Sequence, residues 1–360
     1  MSEALPETRA LLAWYDDGRR DLPWRRTRDH YAVWVSEIML QQTRVATVIP
    51  YYLAFLERFP TVLDLAAAEE DEILALWSGL GYYRRARQML AAARQVATQG
   101  GVFPETSDDL RGLPGIGPYT AAAIASICSG EVIPVLDGNV ERVLARRLAM
   151  DQDVKRATPR RRLQAEAAAL LLPDRPGDSN QALMELGATV CTPRSPDCSR
   201  CPLEDGCLGR FDPDRYPSPK KKRKPVAVTR AVAVARNCGG DVLLFRRPDE
   251  DRLMAGLWEL PQVDITRPNT PAGDVAHSLA EHYGGSWQVE PEVCQVRHGI
   301  THRSLTLCIH PARLQDRGLL AARSRSARDP CWVDWKTEKD RYATSSMVEK
   351  VLAAVDKIDS

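Results

Sequence analysis

The chain has 360 residues, of which 44% are hydrophobic and 27% are charged. This composition is typical of globular proteins, and the length predicts about two domains that can each bury a hydrophobic core. The formal net charge is only +1, so overall charge does not predict nucleic-acid binding. Basic residues nevertheless cluster at positions 84–85, 146–147, 160–162 and 220–224, and such clusters can form a local phosphate-binding surface.

The sequence predicts neither export nor membrane insertion. The first residues are acidic and lack the apolar segment of a signal peptide. No run approaches the roughly 18 apolar residues of a membrane span. Nine cysteines without a signal peptide argue against a disulfide framework and for a reduced compartment. We therefore expect a bacterial cytoplasmic protein that has no membrane partner.

The first half of the chain predicts an all-α domain. From about Leu11 to Leu172, amphipathic helical segments alternate with short breaks at Pro, Gly and Asp. Within residues 31–40, Glu37 lies beside an apolar face that includes Val35 and Ile38. A carboxyl group among apolar side chains has a raised pKa and can donate a proton near neutral pH. A solvated helix glutamate is the alternative.

Two further segments of this half combine aromatic residues with arginines. Pro23-Trp24-Arg25-Arg26 can be a loop that is anchored by a buried Trp24. The segment 80–87, Leu-Gly-Tyr-Tyr-Arg-Arg-Ala-Arg, has the chemistry of an aromatic wedge with cations for phosphates. In the alternative interpretation, Tyr82 and Tyr83 are core residues and the arginines are solvated.

Two glycine-containing segments follow. In Leu-Pro-Gly-Ile-Gly-Pro-Tyr-Thr at 113–120, Gly115 and Gly117 allow a sharp turn with exposed N–H groups at a helix start, which can bind phosphate. About twenty residues later, Val-Leu-Asp-Gly-Asn ends at Asn139. Asp137 should lie at a helix N-terminus, where the dipole favours an ionised carboxylate. Each segment alone also fits a hairpin between core helices with an ordinary Asp cap.

Four cysteines then predict a metal-binding loop. They have the spacing C-x6-C-x2-C-x5-C among several prolines, a pattern too rich in turn-forming residues for a helix. A structural zinc site is one possibility on thiol count alone. The ligands would be Cys191, Cys198, Cys201 and Cys207.

The last third of the chain changes to strand-like sequence. Residues 226–235 and 242–245 read as strands separated by a hairpin signal at 237–240, and 305–309 alternates similarly. Residues 345–355 read as a closing helix. We predict a helical domain at 1–211 with its cysteine loop at 191–207, a basic Pro-rich linker at 212–226, and an α+β domain at 227–360.

The two glycine-containing segments, in this order, resemble the helix-hairpin-helix DNA glycosylase superfamily, which includes endonuclease III. Ser-Glu-Ile-Met-Leu-Gln-Gln-Thr at 36–43 resembles the signature of the MutY-type adenine DNA glycosylases, and endonuclease III lacks its glutamate. The sequence Ala-Gly-Leu-Trp-Glu-Leu-Pro at 255–261 resembles a Nudix element. The resemblance implies an all-α helix-hairpin-helix glycosylase domain with an iron–sulfur loop, followed by an α+β Nudix-like lesion-recognition domain. Because 273–284 lacks the Nudix metal-binding carboxylates, we do not expect diphosphate hydrolysis.

The resemblance also implies catalytic roles for four residues. Glu37 would protonate the adenine ring and then help to activate water, while Asp137, as a carboxylate of low pKa, would stabilise the cationic sugar. Tyr119 would position these acids, and Asn139 would contact water or the sugar. Superfamily members that cleave the strand carry a lysine nucleophile where this chain has Tyr119, so the resemblance implies a monofunctional enzyme that leaves an abasic site.

Other residues are implied to contact DNA or the lesion. Tyr82 would intercalate, and the segment 298–302, His-Gly-Ile-Thr-His, would recognise 8-oxoguanine, although Ile300 and Thr301 replace the Phe and Ser of the family. In the alternative interpretation, His298 and His302 bind a metal or cap a turn. The full implied set is Trp24, Arg25, Gln41, Gln42, Thr43, Leu80, Gly81, Tyr82, Gly115, Gly117, Thr301 and His302.

The expected cofactor is a [4Fe–4S] cluster, because the unequal cysteine spacing resembles the cluster loop of this family. The expected partner is double-stranded DNA with adenine opposite 8-oxoguanine or guanine, bound by a monomer that flips the adenine and hydrolyses its N-glycosidic bond. Within the bacterial cytoplasm, the protein would be associated with the nucleoid. Two alternatives are an endonuclease III-like lyase that acts on oxidised pyrimidines and a noncatalytic iron–sulfur DNA-binding protein.

Overall fold

The computed structural model describes residues 6–218, 224–248, 251, 254–300, 302–316 and 328–358. By their contacts, the residues group into two compact units. The N-terminal unit comprises Met1–Ala67 and Gln88–Lys221, and the C-terminal unit comprises Ala68–Arg87 and Lys222–Ser360. Of the predicted linker, residues 219–223 lie outside the described part of the chain. No helix among the described residues is long and apolar enough to cross a membrane.

Residues 6–190 are mainly helical, as the periodicity predicts. Short 3₁₀ and π turns, at Pro23–Arg25 and Ala125–Ser129, join some of the helices. The helices are α1 (Pro6–Gly18), α2 (His30–Leu40), α3 (Val45–Arg58), α4 (Val62–Ala67), α5 (Glu70–Leu76), α6 (Arg84–Thr98), α7 (Ser107–Leu110), α8 (Pro118–Ile124), α9 (Gly138–Arg147), α10 (Ala157–Ala169) and α11 (Pro176–Thr189).

A main core of the N-terminal unit is formed where α1, α9, α10 and α11 meet. Val140, Val143 and Leu144 recur at helical spacing on α9, and all three are buried. They pack in one cluster with Leu183 and Leu186 of α11. This packing fixes the start of α9, which carries Asp137, against α11.

In the part of the C-terminal unit that the structure describes, there are two sheets and three further helices. The helices are α12 (Ala272–Tyr283), α13 (Trp335–Glu338) and α14 (Ser346–Asp356). The strands are β1 (Val226–Ala235), β2 (Val242–Arg246), β3 (Trp258–Glu259), β4 (Gln262–Ile265), β5 (Ser286–Val289), β6 (Cys294–Ile300), β7 (Arg303–Asp316) and β8 (Arg328–Val333). One sheet has the order β4-β1-β7-β5 with β6 also paired to β7, and the other has the order β3-β2-β8.

Strand β1 shows how the larger sheet is covered on both faces. Successive side chains of a strand point to opposite faces. Ala231 and Ala233 therefore pack in a cluster with Val275 and Leu279 of α12. The intervening Val232 and Val234 belong to the cluster that includes Val348 and Leu352 of α14. The α+β prediction is confirmed, and the apolar run of β1 reflects burial on both faces.

The hairpin that the sequence indicates between β1 and β2 forms only at its closing end, where Arg236 and Val242 make an isolated antiparallel bridge. A turn does form, since Gly240 N donates to Asn237 O at 3.0 Å. However, β1 pairs with β4 on one side and in parallel with β7 on the other, and β2 pairs with β3 and β8. The long register of β1 with β7 occupies the edge that a hairpin would need, so the two strands lie in different sheets.

Candidate active site and cysteine loop

Helix α2 buries Glu37. The helix starts at the Asp29 cap, whose Oδ1 accepts from Ala32 N at 2.8 Å. Every residue from Tyr31 to Met39 is buried, so the predicted apolar face extends around the whole helix. Glu37 is only 6% exposed, and the alternative of a solvated glutamate does not hold.

Burial and one hydrogen bond set the protonation of Glu37. The Tyr119 hydroxyl, on α8, donates to Glu37 Oε2 at 2.8 Å. Burial raises the pKa of Glu37 to about 7, the hydrogen bond from Tyr119 lowers it, the nearby Asp137 raises it, and Arg25 lowers it. A substantial fraction of Glu37 is therefore protonated at neutral pH, as a general acid requires.

Asp137 caps α9, as the sequence predicts. Its Oδ1 accepts from the backbone N–H groups of Asn139 at 2.9 Å and Val140 at 2.7 Å. The prediction of a low pKa is wrong in direction: burial raises the pKa of Asp137 and outweighs the bonds from Val140 and Asn139 and the charge of Arg142. The cap position favours the anion, but the loss of water around the carboxylate has the larger effect.

Asn139 is oriented toward Asp137. Asn139 Nδ2 donates to Asp137 Oδ2 at 2.9 Å, and Asn139 Oδ1 accepts from Arg142 Nη2 at 3.0 Å. The same Arg142 nitrogen donates to Gly187 O at 2.7 Å, where α11 passes α9. A Cβ on Gly187 would lie 2.7 Å from the Asn139 side chain and 3.0 Å from its carbonyl oxygen. Close helix packing thus sets the orientation of the amide.

The structure adds an ion-pair cluster that the sequence only hints at. Glu185 of α11 is 1% exposed and accepts from Arg20 Nε and Nη2, each at 2.7 Å, and from Arg25 Nη2 at 2.8 Å. Burial raises the pKa of Glu185, but the hydrogen bonds from these arginines hold it down at about 2. Sequence reasoning missed Arg20, for which the only signal is its place in the same loop as Arg25.

These groups share one cavity of about 330 Å³ in the N-terminal unit. Trp24 is buried and also lines the cavity, so it is both an anchor and a wall. The predicted residues that line it are Trp24, Arg25, Glu37, Gln41, Gln42, Thr43, Tyr119, Asp137 and Asn139, and Arg20, Gln181, Met184 and Glu185 join them.

The predicted glycine turn lies before α8 and does not line this cavity. Gly115 has φ +77° and no room for a side chain, since a Cβ would lie 2.8 Å from Gln88 Cβ. Gly117 has φ −89° and caps α8, so its backbone conformation does not require glycine. Both glycines are exposed, which is compatible with phosphate contacts.

The C-terminal unit holds the remaining predicted DNA contacts. Leu80 is buried, Gly81 has φ +69°, and Tyr82 has φ +52° and is 48% exposed, whereas Tyr83 is buried. The core alternative therefore holds for Tyr83 and not for Tyr82. Thr301 lies outside the described residues.

His302 is also in the C-terminal unit. It follows β6 and is exposed, and its backbone oxygen accepts from Val226 N at 2.8 Å.

The four cysteines of the loop line one cavity together with Arg146. Arg146 is 3% exposed, and its Nη1 donates to Cys191 Sγ at 3.3 Å and to Thr192 O at 2.7 Å. Among the described residues, no three His, Cys, Asp or Glu side chains are placed to hold a single metal ion. Four thiols around a shared space, with a buried cation beside them, fit the thiolate ligand set of a [4Fe–4S] cluster.

Comparisons with protein families agree with these features. Residues 35–167 match the HhH-GPD superfamily of base excision DNA repair proteins. Residues 191–207 match the iron–sulfur binding domain of endonuclease III, which supports the [4Fe–4S] cofactor. Residues 231–354 match the NUDIX domain.

Individual relatives extend the likeness. An adenine DNA glycosylase of Rattus norvegicus is 36% identical over 97% of this chain and 78% of its own length. That of Homo sapiens is 41% identical over 71% of this chain, and that of Mycolicibacterium smegmatis is 47% identical over 54%. The matches span 57% of the human relative and 46% of an Arabidopsis thaliana relative that is 43% identical.

Two solved structures share the fold of the first part of the chain. A thermostable thymine-DNA glycosylase has a TM-score of 0.52 and 29% identity, over 57% of this chain and 94% of its own. A non-covalent endonuclease III–DNA complex has a TM-score of 0.50 and 20% identity, over 58% and 95%.

Replacement of Tyr119 with Phe should raise the pKa of Glu37 further above 7, because the hydrogen bond that favours the anion is lost. The measurement is a ¹³C NMR titration of the Glu37 carboxyl. Tyr283→Phe, which removes a buried hydroxyl in the C-terminal unit, is the control and should leave this titration unchanged. A lower Glu37 pKa in Tyr119→Phe would contradict the arrangement.

Replacement of Cys198 with Ser should remove most of the iron from the purified protein, because a cluster ligand is lost. Iron and acid-labile sulfide are measured per chain, with about four of each expected in the unmodified protein. Cys238→Ser changes an exposed cysteine outside the loop and should retain full iron content. Equal iron loss in both variants would count against the assignment.

Proposed function

This chain belongs to the adenine DNA glycosylase family, and we propose that it removes adenine mispaired with 8-oxoguanine or guanine from double-stranded DNA. The observation that carries the proposal is the buried Glu37, whose pKa lies near 7, in the same cavity as the Asp137 carboxyl. A base within a duplex can enter a protein cavity only after the base has left the stack. The adenine is therefore flipped out of the duplex before the reaction.

The reaction uses the two carboxyls in different roles. Protonated Glu37 donates its proton to a ring nitrogen of adenine, and the N-glycosidic bond breaks as its electron pair moves into the protonated base. The sugar becomes cationic at C1′, and the Asp137 carboxylate stabilises this charge. Water then attacks C1′ and gives a proton to the Glu37 carboxylate, which restores the acid.

Tyr119 and Asn139 hold these carboxyls in place. The hydroxyl of Tyr119 fixes Glu37 at 2.8 Å, and the amide of Asn139 fixes Asp137 at 2.9 Å. A phenol has no amine with which to attack C1′ and form a Schiff base. The reaction therefore ends at an abasic site with the strand intact.

The ion-pair cluster of Glu185 forms one wall of the adenine site. Arg25 is held from two sides, because it donates to Glu185 Oε2 and, through Nη1, to Arg20 O at 3.1 Å. The low pKa of Glu185 keeps it ionised, so the wall offers fixed donors and acceptors to the edge of a base. Trp24 supplies an apolar surface, packed edge-on against Tyr52 at 5.4 Å.

The remaining parts bind DNA. The [4Fe–4S] cluster, held by Cys191, Cys198, Cys201 and Cys207, would supply structural support for the loop, on which Arg194 and Arg200 are exposed to phosphates. The Gly115 turn offers backbone N–H groups to the phosphate backbone.

The segment with Thr301 and His302 would read the base opposite adenine. We propose a monomer in a bacterial cytoplasm.

Replacement of Glu37 with Gln should slow adenine release from a duplex with adenine opposite 8-oxoguanine by about 10²- to 10⁴-fold, since the general acid is lost. Duplex affinity should change little. Single-turnover base release and a binding titration at fixed salt measure the two effects. Glu57→Gln, at an exposed position of α3, is the charge-matched control, and normal release by the Glu37 variant would refute the acid role.

The unmodified protein should yield strand breaks in the same duplex only after alkali, because Tyr119 cannot form a Schiff base. Gel analysis of single-turnover reactions with and without alkali measures this. Borohydride should trap no covalent protein–DNA adduct. Breaks without alkali would indicate lyase chemistry, and no breaks under either condition would indicate a noncatalytic DNA-binding protein.

A further inference from the structure

The turn that carries Tyr82 comprises residues 77–83, between α5 and α6. By its contacts, it belongs to the C-terminal unit. Residues Ala68–Arg87 group with the chain beyond residue 222, although the sequence between these segments belongs to the N-terminal unit. Helix α5 contributes the buried Ile73 and Leu74, and the following Trp77 is fully buried. The turn therefore groups by its contacts with the chain beyond residue 222, although it lies within the stretch 35–167 that matches the HhH-GPD superfamily.

A single backbone carbonyl accepts two hydrogen bonds from the two sides of this turn. The Tyr83 hydroxyl donates to Thr344 O at 2.6 Å, and the Ser78 hydroxyl donates to the same oxygen at 3.0 Å. A carbonyl has two lone pairs, so it can accept both. Thr344 is 3% exposed and lies just before α14, which packs in the core of the C-terminal unit. The acceptor is thus itself fixed.

Two further bonds join the same segments. Arg87 Nη2 donates to Ala255 O at 2.6 Å, and the buried Arg246 pairs with Asp71 at 3.0 Å. The flanks of the turn, α5 and the start of α6, are therefore attached to the chain beyond residue 222 at several points.

Inside the turn, hydrogen bonds hold the backbone that presents Tyr82. Trp77 Nε1 donates to Gly81 O at 3.1 Å, and Arg85 Nη2 donates to Leu80 O at 3.2 Å and Gly81 O at 3.0 Å. The Arg85 guanidinium also lies 5.6 Å from the centre of the Tyr82 ring. Tyr82, with its left-handed backbone, projects an aromatic ring that is 48% exposed.

We propose that the Thr344 carbonyl anchors this turn and thereby sets the position from which Tyr82 enters the base stack. Tyr83 and Ser78 are positioning residues for base flipping, because they join the turn to Thr344. An inserted side chain that is held in place before it meets the duplex loses less conformational entropy on insertion, so more of its stacking energy offsets the cost of unstacking. The inference rests on the proposed function, since it takes Tyr82 as the residue that fills the gap left by the adenine.

The test is base unstacking by the full-length chain in a Glu37→Gln background, in which adenine release is slow enough to leave the duplex intact during the measurement. The probe is a duplex with 2-aminopurine next to adenine opposite 8-oxoguanine, and its fluorescence rises when the stack opens. Tyr83→Phe should lower the unstacking equilibrium constant up to about tenfold, because the freed turn must then be ordered when Tyr82 inserts. Tyr283→Phe, which also loses a buried hydroxyl to a carbonyl in this unit, should not change it.

A double-mutant cycle separates positioning from general stability. If Tyr83 acts through Tyr82, then Tyr83→Phe should have no further effect once Tyr82→Ala has removed the ring. Additive effects, or equal effects of Tyr83→Phe and Tyr283→Phe, would overturn the proposal. If Tyr83→Phe does not fold, Ser78→Ala, which removes the other hydrogen bond to Thr344 O, takes its place in the cycle.

The outcome is distinguishable from a failure of the proposed function. If the unmodified protein releases no adenine but unstacking still depends on Tyr83 through Tyr82, the glycosylase proposal fails and the anchor stands. If adenine is released normally and Tyr83→Phe unstacks the duplex as well as its parent does, the anchor fails and the glycosylase proposal stands.

Discussion

The site depends on keeping the Glu37 carboxyl away from water while giving it one strong hydrogen bond. Helix α2 is buried from Tyr31 to Met39, and Glu37 itself is only 6% exposed. Desolvation stabilises the protonated form, and the Tyr119 hydroxyl stabilises the anion. The balance leaves a group that can both donate and accept a proton near neutral pH. The surrounding helices keep the carboxyl buried and so maintain that balance.

Three carboxyl groups in one cavity differ because their partners differ. Glu37 has a phenol, Asp137 has the N–H groups of a helix start and an amide, and Glu185 has two guanidinium groups. Only the guanidinium partners overcome burial, so only Glu185 has a strongly lowered pKa. Under the proposed mechanism, one cavity thus combines a proton donor, a stabiliser of positive charge and an ionised wall, so that neighbouring carboxyl groups have different roles.

Features that arise within a few residues could be predicted from the sequence, and those that join distant segments could not. The helix around Glu37, the cap at Asp137 and the strand character of β1 follow from local periodicity and turn chemistry. The sequence predicts a low pKa for Asp137 because it does not show the burial that raises this pKa, and the elements that bury the carboxyl are distant in sequence. Arg20 and Glu185 are 165 positions apart, and only folding brings them together. Likewise, Tyr82 and Tyr83 are adjacent, yet only Tyr83 is buried, and its hydroxyl donates to the distant Thr344 O.

The close approach of α11 to α9 restricts which sequences can carry this chemistry. Any side chain at Gly187 would overlap the side chain and carbonyl of Asn139, which in turn holds Asp137. A methyl group at position 187 would therefore disturb the carboxylate through an intermediate residue, although position 187 itself does not line the cavity. The space beside Gly187 falls short of what a side chain needs by some tenths of an ångström, so this spacing sets the tolerance of α11 to substitution there. Loss of activity on such a substitution need not be accompanied by loss of the fold.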